Sequence, residues 1–334
     1  MNTTTNMSTN HHVSPAVTER PTNLVVGSVA YDDLDLPSGE FRDVVGGAAT
    51  YSAIAASIYS PVRLVGVVGD DFGEGPISIL KKRKIDLRGL EHAPGKTFRW
   101  HGEYAADLSS RKTLRTDLNV FAEFHPKIPE DYRSSKYLLL GNIHPALQLE
   151  VLRRVERPRF VAADTMNFWI SGERALLGEV LKSVDLLMIN DEEARELSGV
   201  HSLKKAAAVI RAMGPKYLII KRGEYGAMLF DDDGAFFVPG YPLENVVDPT
   251  GAGDSFAGGL FGYLSAVDDG GTGPLPKRTL RRAMVVASSV ASFCVEGVGT
   301  SSVANLNAVT VRDRINDFLS MLSLGEMVFP AGAI

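Results

Sequence analysis

The run Asp248-Pro249-Thr250-Gly251-Ala252-Gly253-Asp254-Ser255 leads directly into an apolar helical stretch that continues to Ala266. Residues this small let consecutive backbone N–H groups converge at a helix N-terminus, where the macrodipole also favours negative charge, so the segment suits an anion. A carboxylate beside a bound phosphate would repel it unless it handles a proton. The role that fits Asp254 is base for a substrate hydroxyl, and the plainer alternative is an ordinary helix N-cap.

A second group follows a short strand: Leu186-Leu187-Met188-Ile189 is succeeded by Asn190, Asp191, Glu192 and Glu193. Open α/β sheets bind ligands beyond the C-terminal ends of their strands, and an amide and a carboxylate there suit the water shell of Mg²⁺ beside phosphate oxygens. Acidic residues in a first turn also simply complement the helix dipole. Lys221-Arg222-Gly223 ends another strand, placed for a nucleotide's phosphates or for a solvated turn. Asn142 and His144 follow the strand at 137–140, and Asp164 and Asn167 follow the one at 159–163. Asn142, Asp164 and Asn167 are candidates for hydroxyl recognition, whereas His144 before Pro145 reads as a turn residue. Asp231-Asp232-Asp233-Gly234 lacks the spacing and terminal Glu of a calcium loop and reads as a hairpin turn.

These side chains need a frame. Apolar runs at 24–29, 62–68, 137–140, 159–163, 186–189 and 217–221 alternate with helical stretches at 48–60, 147–155, 172–181, 192–197 and 203–213. That alternation predicts βαβ units and a mostly parallel sheet, an α/β fold. Residues 97–104 and 111–121 break it as a projecting β-hairpin and, with residues 35–43, predict a small lid over about 35–43 and 96–122. Its Arg99, Trp100, His101, Tyr104, Arg111, Lys112 and Arg115 are candidates to stack on a base, cover a sugar or meet a phosphorylated substrate. Only one face of the hairpin can look inward. Residues 1–22, rich in Thr, Asn and Ser, read as a disordered tail, and residues 23–334 as one domain.

Composition narrows the partners. The 334 residues carry 35 Lys+Arg against 40 Asp+Glu, a net charge of −5, and a single cysteine. That balance argues against nucleic acid, the lone thiol excludes a disulfide framework or a Cys-based metal site, and no apolar run approaches the roughly 18 residues of a membrane span. The expected partner is a small molecule and the expected setting the reducing cytoplasm. Cys294, inside Val290-Ala291-Ser292-Phe293-Cys294, reads as a buried structural thiol.

In chain order, Gly27-Ser28-Val29-Ala30-Tyr31-Asp32, Gly46-Gly47 before a small-residue helix, Asn190-x-x-Glu193 and the Gly251–Asp254 run resemble the ribokinase-like (PfkB) carbohydrate and nucleoside kinases, over about residues 23 to 322. The resemblance implies a mainly parallel sheet flanked by helices under a β-sheet lid, and transfer of the ATP γ-phosphoryl group to a hydroxyl of a sugar or sugar-containing substrate. It implies Asp254 as base, the amides of Gly251, Ala252 and Gly253 around the transferred charge, Asn190 and Glu193 as organisers of Mg²⁺ and its waters, and Lys221 and Gly223 along the ATP site. Asp32, Gly46, Gly47 and Thr50 would meet the acceptor. Asp248 and Thr250 match a loop that in some members binds a monovalent cation such as K⁺. Members often dimerise through the lid, so a homodimer is expected. Where ribokinase-type members carry an Asn soon after the Gly-Gly turn, this chain has Ala48-Ala49-Thr50-Tyr51. Nucleosides and sugar phosphates therefore stand beside free sugars as acceptors.

Rival α/β enzymes fit less well. No Gly-x-Gly-x-x-Gly follows the first strand, and Gly95-Lys96-Thr97 has Leu90 where a P-loop needs glycine. A catalytically silent sugar-binding module is the non-enzyme alternative, against which stands the retention of Asp254 and its glycine loop.

Overall fold

Strands apolar on both faces need cover on both, and the chain supplies it with helices. The computed structural model describes residues 22–322 apart from 269, 270, 272 and 274, so the tail expected over 1–22 lies, but for Thr22, outside the described residues. The strands are β1 (Asn23–Val26), β2 (Ala30–Leu36), β3 (Gly39–Gly46), β4 (Val62–Val68), β5 (Asp86–His92), β6 (Phe98–Tyr104), β7 (Arg111–Asp117), β8 (Tyr137–Leu140), β9 (Phe160–Asp164), β10 (Leu186–Asn190), β11 (Tyr217–Lys221), β12 (Ala227–Asp231) and β13 (Gly234–Val238). The helices are α1 (Ala48–Ala56), α2 (Glu74–Lys82), α3 (Pro145–Arg154), α4 (Asn167–Gly172), α5 (Arg174–Leu181), α6 (Asp191–Ser198), α7 (Leu203–Arg211), α8 (Ala252–Val267), α9 (Lys277–Cys294) and α10 (Ala308–Leu322).

A nine-stranded sheet runs in the order β13-β12-β11-β10-β9-β8-β1-β4-β5, parallel except that β12 is antiparallel to both its neighbours. Successive residues of a strand point to opposite faces. Val25, Leu139, Ala162, Met188 and Ile219 accordingly join the core under α1, α8 and α9. Leu24, Val26, Leu138, Leu140 and Val161 pack the other way, with Val151 and Val180 of α3 and α5. From β1 the chain builds outward to β4 and β5, then returns to β8 on the other side. Loops diverge at that switch between β1 and β8, the standard ligand crevice of an open sheet.

A second, four-stranded sheet has the order β3-β2-β6-β7, with β2 and β6 parallel. It spans 30–46 and 98–117, wider at its start than the expected lid segment 35–43, and Asn119–Glu123 is a 3₁₀ turn rather than strand. The acidic β2 forms a strand because Asp33 and Asp35 are matched across the sheet, Asp33 with Arg99 at 2.9 Å and Asp35 with Arg42 at 2.7 Å. The first strand stops at Val26 instead of Val29, the helix expected at 172–181 is divided at Glu173 between α4 and α5, and α2 and β5 add a unit that short periodic runs do not reveal. Among the described residues no helix is long and apolar enough to cross a membrane.

Every residue of the Ala-rich α1 is buried, and its backbone lies directly against α8. A Cβ placed at Gly258 would collide with the Ser52 carbonyl, and one at Gly262 with the Ala56 carbonyl. Gly262→Val therefore has no room without separating the helices, and overpacking of this kind costs about 1–3 kcal/mol. We expect a lower urea midpoint with an unchanged slope; an unchanged midpoint would mean that the two helices are not pressed together.

Candidate active site

Helix α8 begins at Gly251, whose left-handed φ of 74° turns the chain sharply into the helix. A side chain there would strike the ring of Tyr51 in α1. The preceding loop is held by Asp248, fully buried, which accepts from the Thr250 amide at 2.8 Å and the Gly299 amide at 2.8 Å. Asp248 thus clamps the loop to the segment at Gly299. Thr250 bonds through its hydroxyl to the Tyr104 hydroxyl of β6 at 2.7 Å, joining lid to body. The Ala252 amide meets the Pro249 carbonyl at 3.3 Å, whereas the amides of Gly251 and Gly253 find no acceptor among the described residues. Two of the three expected donors are thus open at the positive end of a 16-residue helix.

The strand ends bring charge to this point. Lys221 at the end of β11 pairs with Asp164 at the end of β9 at 2.9 Å, and a Cβ on Gly253 would sit 3.2 Å from the Lys221 ammonium. Asp164, expected to recognise a hydroxyl, is therefore the counter-ion of Lys221 beside the helix. Asn190 and Glu193 form a capping box at the head of α6: the Asn190 side chain accepts from the Glu193 amide at 2.7 Å, and the Glu193 carboxylate accepts from the Asn190 amide at 2.8 Å. Burial, and then the charge of Asp164, raise the Glu193 pKa to about 7. Burial and Asp164 likewise raise the half-buried Asp254 to about 6, against the lowering influence of Lys221 and Arg111. Among the described residues no three His, Cys, Asp or Glu side chains gather as a metal cage. The donors fit Mg²⁺ that enters with a nucleotide and meets Glu193 through water, since this ion keeps part of its hydration shell.

Asp32 of β2 is also buried, beside Gly46, where any side chain would collide with its carboxylate. Burial first, then the charges of Asp248, Asp254 and Asp33, raise its pKa to about 8. Gly47, at φ 94°, starts α1, and Ser28 caps the helix by accepting from the Ala48 amide at 3.0 Å. Asp32, Gly46 and Gly47 thus lie together where the four-stranded sheet joins α1. Thr50 is buried within α1, its hydroxyl without a partner among the described residues. Asn142 accepts from the Trp169 indole at 2.9 Å, and Asn167 opens α4. His144 caps α3 by accepting from the Ala146 amide at 3.1 Å, a turn role as read. Gly223 opens a 3₁₀ turn with φ 54° after Lys221, and Cys294 is buried, its thiol pushed up to about 12 by burial.

The lid sorts its cations by face. Trp100, opposite Asp32 in register, shares the inward face with Gly102 and Tyr104. Arg99, His101 and Arg115 point the other way and are matched with Asp33, Asp43, Asp35 and Asp117, and Lys112, opposite Glu103 in register, lies on that outward face, away from the site. They do not reach toward a phosphorylated substrate.

Comparison with known proteins agrees with this geometry. The model of the pfkB family of carbohydrate kinases matches residues 19–306. The cytidine kinase of Thermococcus kodakarensis is 34% identical over 247 residues, 72% of this chain and 87% of that protein. The 2-dehydro-3-deoxygluconokinase of Thermoproteus tenax is 27% identical over 270 residues, 75% and 79% of the two chains. The crystal structure of aminoimidazole riboside kinase from Salmonella enterica, complexed with aminoimidazole riboside and an ATP analog, has a TM-score of 0.69 at 20% identity, over 88% of this chain and 99% of that one.

Asp32 allows a test that needs no substrate. Its folded pKa of about 8 lies above the ordinary carboxylate value, so the folded state holds a proton that the unfolded chain has released, and stability falls as pH rises through the window from about 4 to about 8. Asp32→Asn removes that cost. The variant should melt higher than wild type at pH 8, with the gain vanishing near pH 4; a gain independent of pH would show that ionisation is not its cause.

Proposed function

The chain belongs to the pfkB family of carbohydrate kinases, and on that premise we propose that it moves the γ-phosphoryl group of ATP to a hydroxyl of a sugar-containing acceptor with Asp254 as the base. It is a phosphotransferase acting on an alcohol group. The observation that carries the finer reading is the carboxylate of Asp254 with a pKa raised to about 6, set one residue beyond the open Gly253 amide at the head of α8. A base poised near working pH is the useful kind.

The acceptor hydroxyl gives its proton to Asp254 as its oxygen forms a bond to the γ-phosphorus. The bond from that phosphorus to the bridging oxygen breaks, and ADP leaves with the electron pair. Charge spreads over the equatorial phosphoryl oxygens, where the free amides of Gly251 and Gly253 and the helix dipole lower its energy. Glu193 and Asn190 would hold Mg²⁺ through water if it comes with the nucleotide, and the ion would then supply further neutralisation of the phosphates. Lys221, held by Asp164, adds positive charge from the floor of the site.

For the acceptor, two observations favour a nucleoside. Trp100 lies on the same lid face as Asp32, so an aromatic wall and a hydroxyl-binding carboxyl group flank one space. The relative that is 34% identical is named a cytidine kinase. Asp32 would then meet the ribose and the indole would cover the base.

An ATP-consumption screen of nucleosides, free sugars and sugar phosphates with Mg²⁺ tests this reading. Wild type should use nucleosides best, with kcat/KM falling tenfold per unit below about pH 6 as Asp254 takes up a proton. Asp254→Asn should lower kcat by about 10²–10⁴ while ATP binding persists. An Asp254→Asn enzyme at wild-type rate would remove the base, and binding without any ATP consumption would indicate a silent binding module.

A further inference from the structure

Arg111 is a lid cation on the inward face that, among the described residues, takes no part in the ion pairs of the sheet. It begins β7 directly opposite Tyr104 in the antiparallel register, and residues so paired share a face of the sheet. Tyr104 is anchored to Thr250, the residue before Gly251, by its 2.7 Å hydroxyl bond. That anchor sets Arg111 beside the head of α8. The guanidinium lies 5.9 Å from the centroid of the Trp100 ring on the same inward face, and no carboxylate among the described residues pairs with it. Arg99 and Arg115 in the same sheet each have acidic partners. Its charge is felt on three separate elements: it lowers the pKa of Asp254 in α8, of Glu193 in α6 and of Tyr104 in β6. A long, exposed, unmatched guanidinium therefore overhangs the point where the strand ends and the helix meet.

We infer that Arg111 is a catalytic residue that reaches down from the lid to the phosphoryl group in transit, closing the side of the site opposite Lys221 and the helix amides. This rests on the kinase reading above. The planar fork suits two phosphoryl oxygens at once, and positive charge at that place matters most when charge builds on them. The covalent bookkeeping is unchanged: Arg111 neither gains nor loses a proton. Because Arg111 is carried by the same sheet that bears Asp32 and Trp100, its charge links the acceptor side of the site to phosphoryl transfer.

The test compares wild type with Arg111→Gln, Arg111→Lys and, as a control on the outward face of the same strand, Lys112→Gln. Arg111→Gln should lower kcat by about 100-fold with KM for the acceptor changed far less, as for loss of a transition-state donor. Its acid limb in kcat/KM should move to higher pH, because a charge that lowers the Asp254 pKa has gone. Arg111→Lys should recover part of the rate, and Lys112→Gln should match wild type. Thermal melts of all variants check folding, which an exposed position tolerates. Arg111→Gln within twofold of wild type with an unmoved acid limb overturns the inference and leaves the kinase reading standing. Equal losses in Arg111→Gln and Lys112→Gln also overturn it, since the effect would belong to the strand. A wild type that phosphorylates nothing removes the kinase reading, and this inference with it.

Discussion

The contact between α1 and α8 is the constraint on which the rest is built. Gly258 and Gly262 let α8 lie backbone to backbone on an alanine-rich helix, and Ser52 of α1 donates to the Asp254 carbonyl at 3.0 Å. One end of α1 is fixed by Ser28, which comes straight from the central strand β1. The position of the anion-holding helix end relative to the sheet is therefore set by packing that allows no alternative spacing. A wider helix pair would carry Asp254 and the free amides away from Lys221, and the charges brought by β9, β10 and β11 would have nothing to act on.

The site is a collection of unfavourable charges kept together by that frame. Asp32, Glu193 and Asp254 all have raised pKa values, in each case first through burial and next through neighbouring carboxylates. Lys221 is the one buried-side counterweight: burial opposes its charge, yet Asp164, Glu193 and Asp254 together raise its pKa. Leaving one partner of such a pair unmatched is far costlier than the pair itself. The arrangement holds back proton affinity that a substrate hydroxyl and a nucleotide can use, at the expense of stability in the empty protein.

The α/β class, the parallel body and the ribokinase-like fold were legible because each strand and helix announces itself within a few residues, and the Gly251–Asp254 run places its glycines and carboxylate in one local stretch. What depended on distant pairing was hidden. Nothing in the sequence near Asp164 says that Lys221 will claim it, so a hydroxyl-binding role looked equally natural. Nor does the sequence show that Asp248 accepts from the amides of Thr250 and of the distant Gly299. β2 escaped notice as a strand because its outward acids are satisfied by arginines far along the chain, which masks the usual apolar alternation. Arg111 could not be told from Arg99 or Arg115 until the register assigned each to a face. The turn over residues 105–110, which sets Arg111 directly opposite Tyr104, is the sequence signal that approaches it.

The parallel pairing of β2 with β6 carries a consequence for how the molecule assembles. Asp32 is paired with Trp100 across an intervening chain that contributes α1, β4, α2 and β5 to the body. A parallel ladder of that kind cannot nucleate as a local hairpin, and its loop-closure entropy is offset only once the body has drawn the two segments together. The four-stranded sheet thus depends on contacts distant in sequence, whereas β1 and β8 pair within the body. The two halves of the candidate site therefore rest on different contacts: Asp32 and Trp100 on a ladder closed across the chain, and the helix end at Gly251 on the packing of α8 against α1.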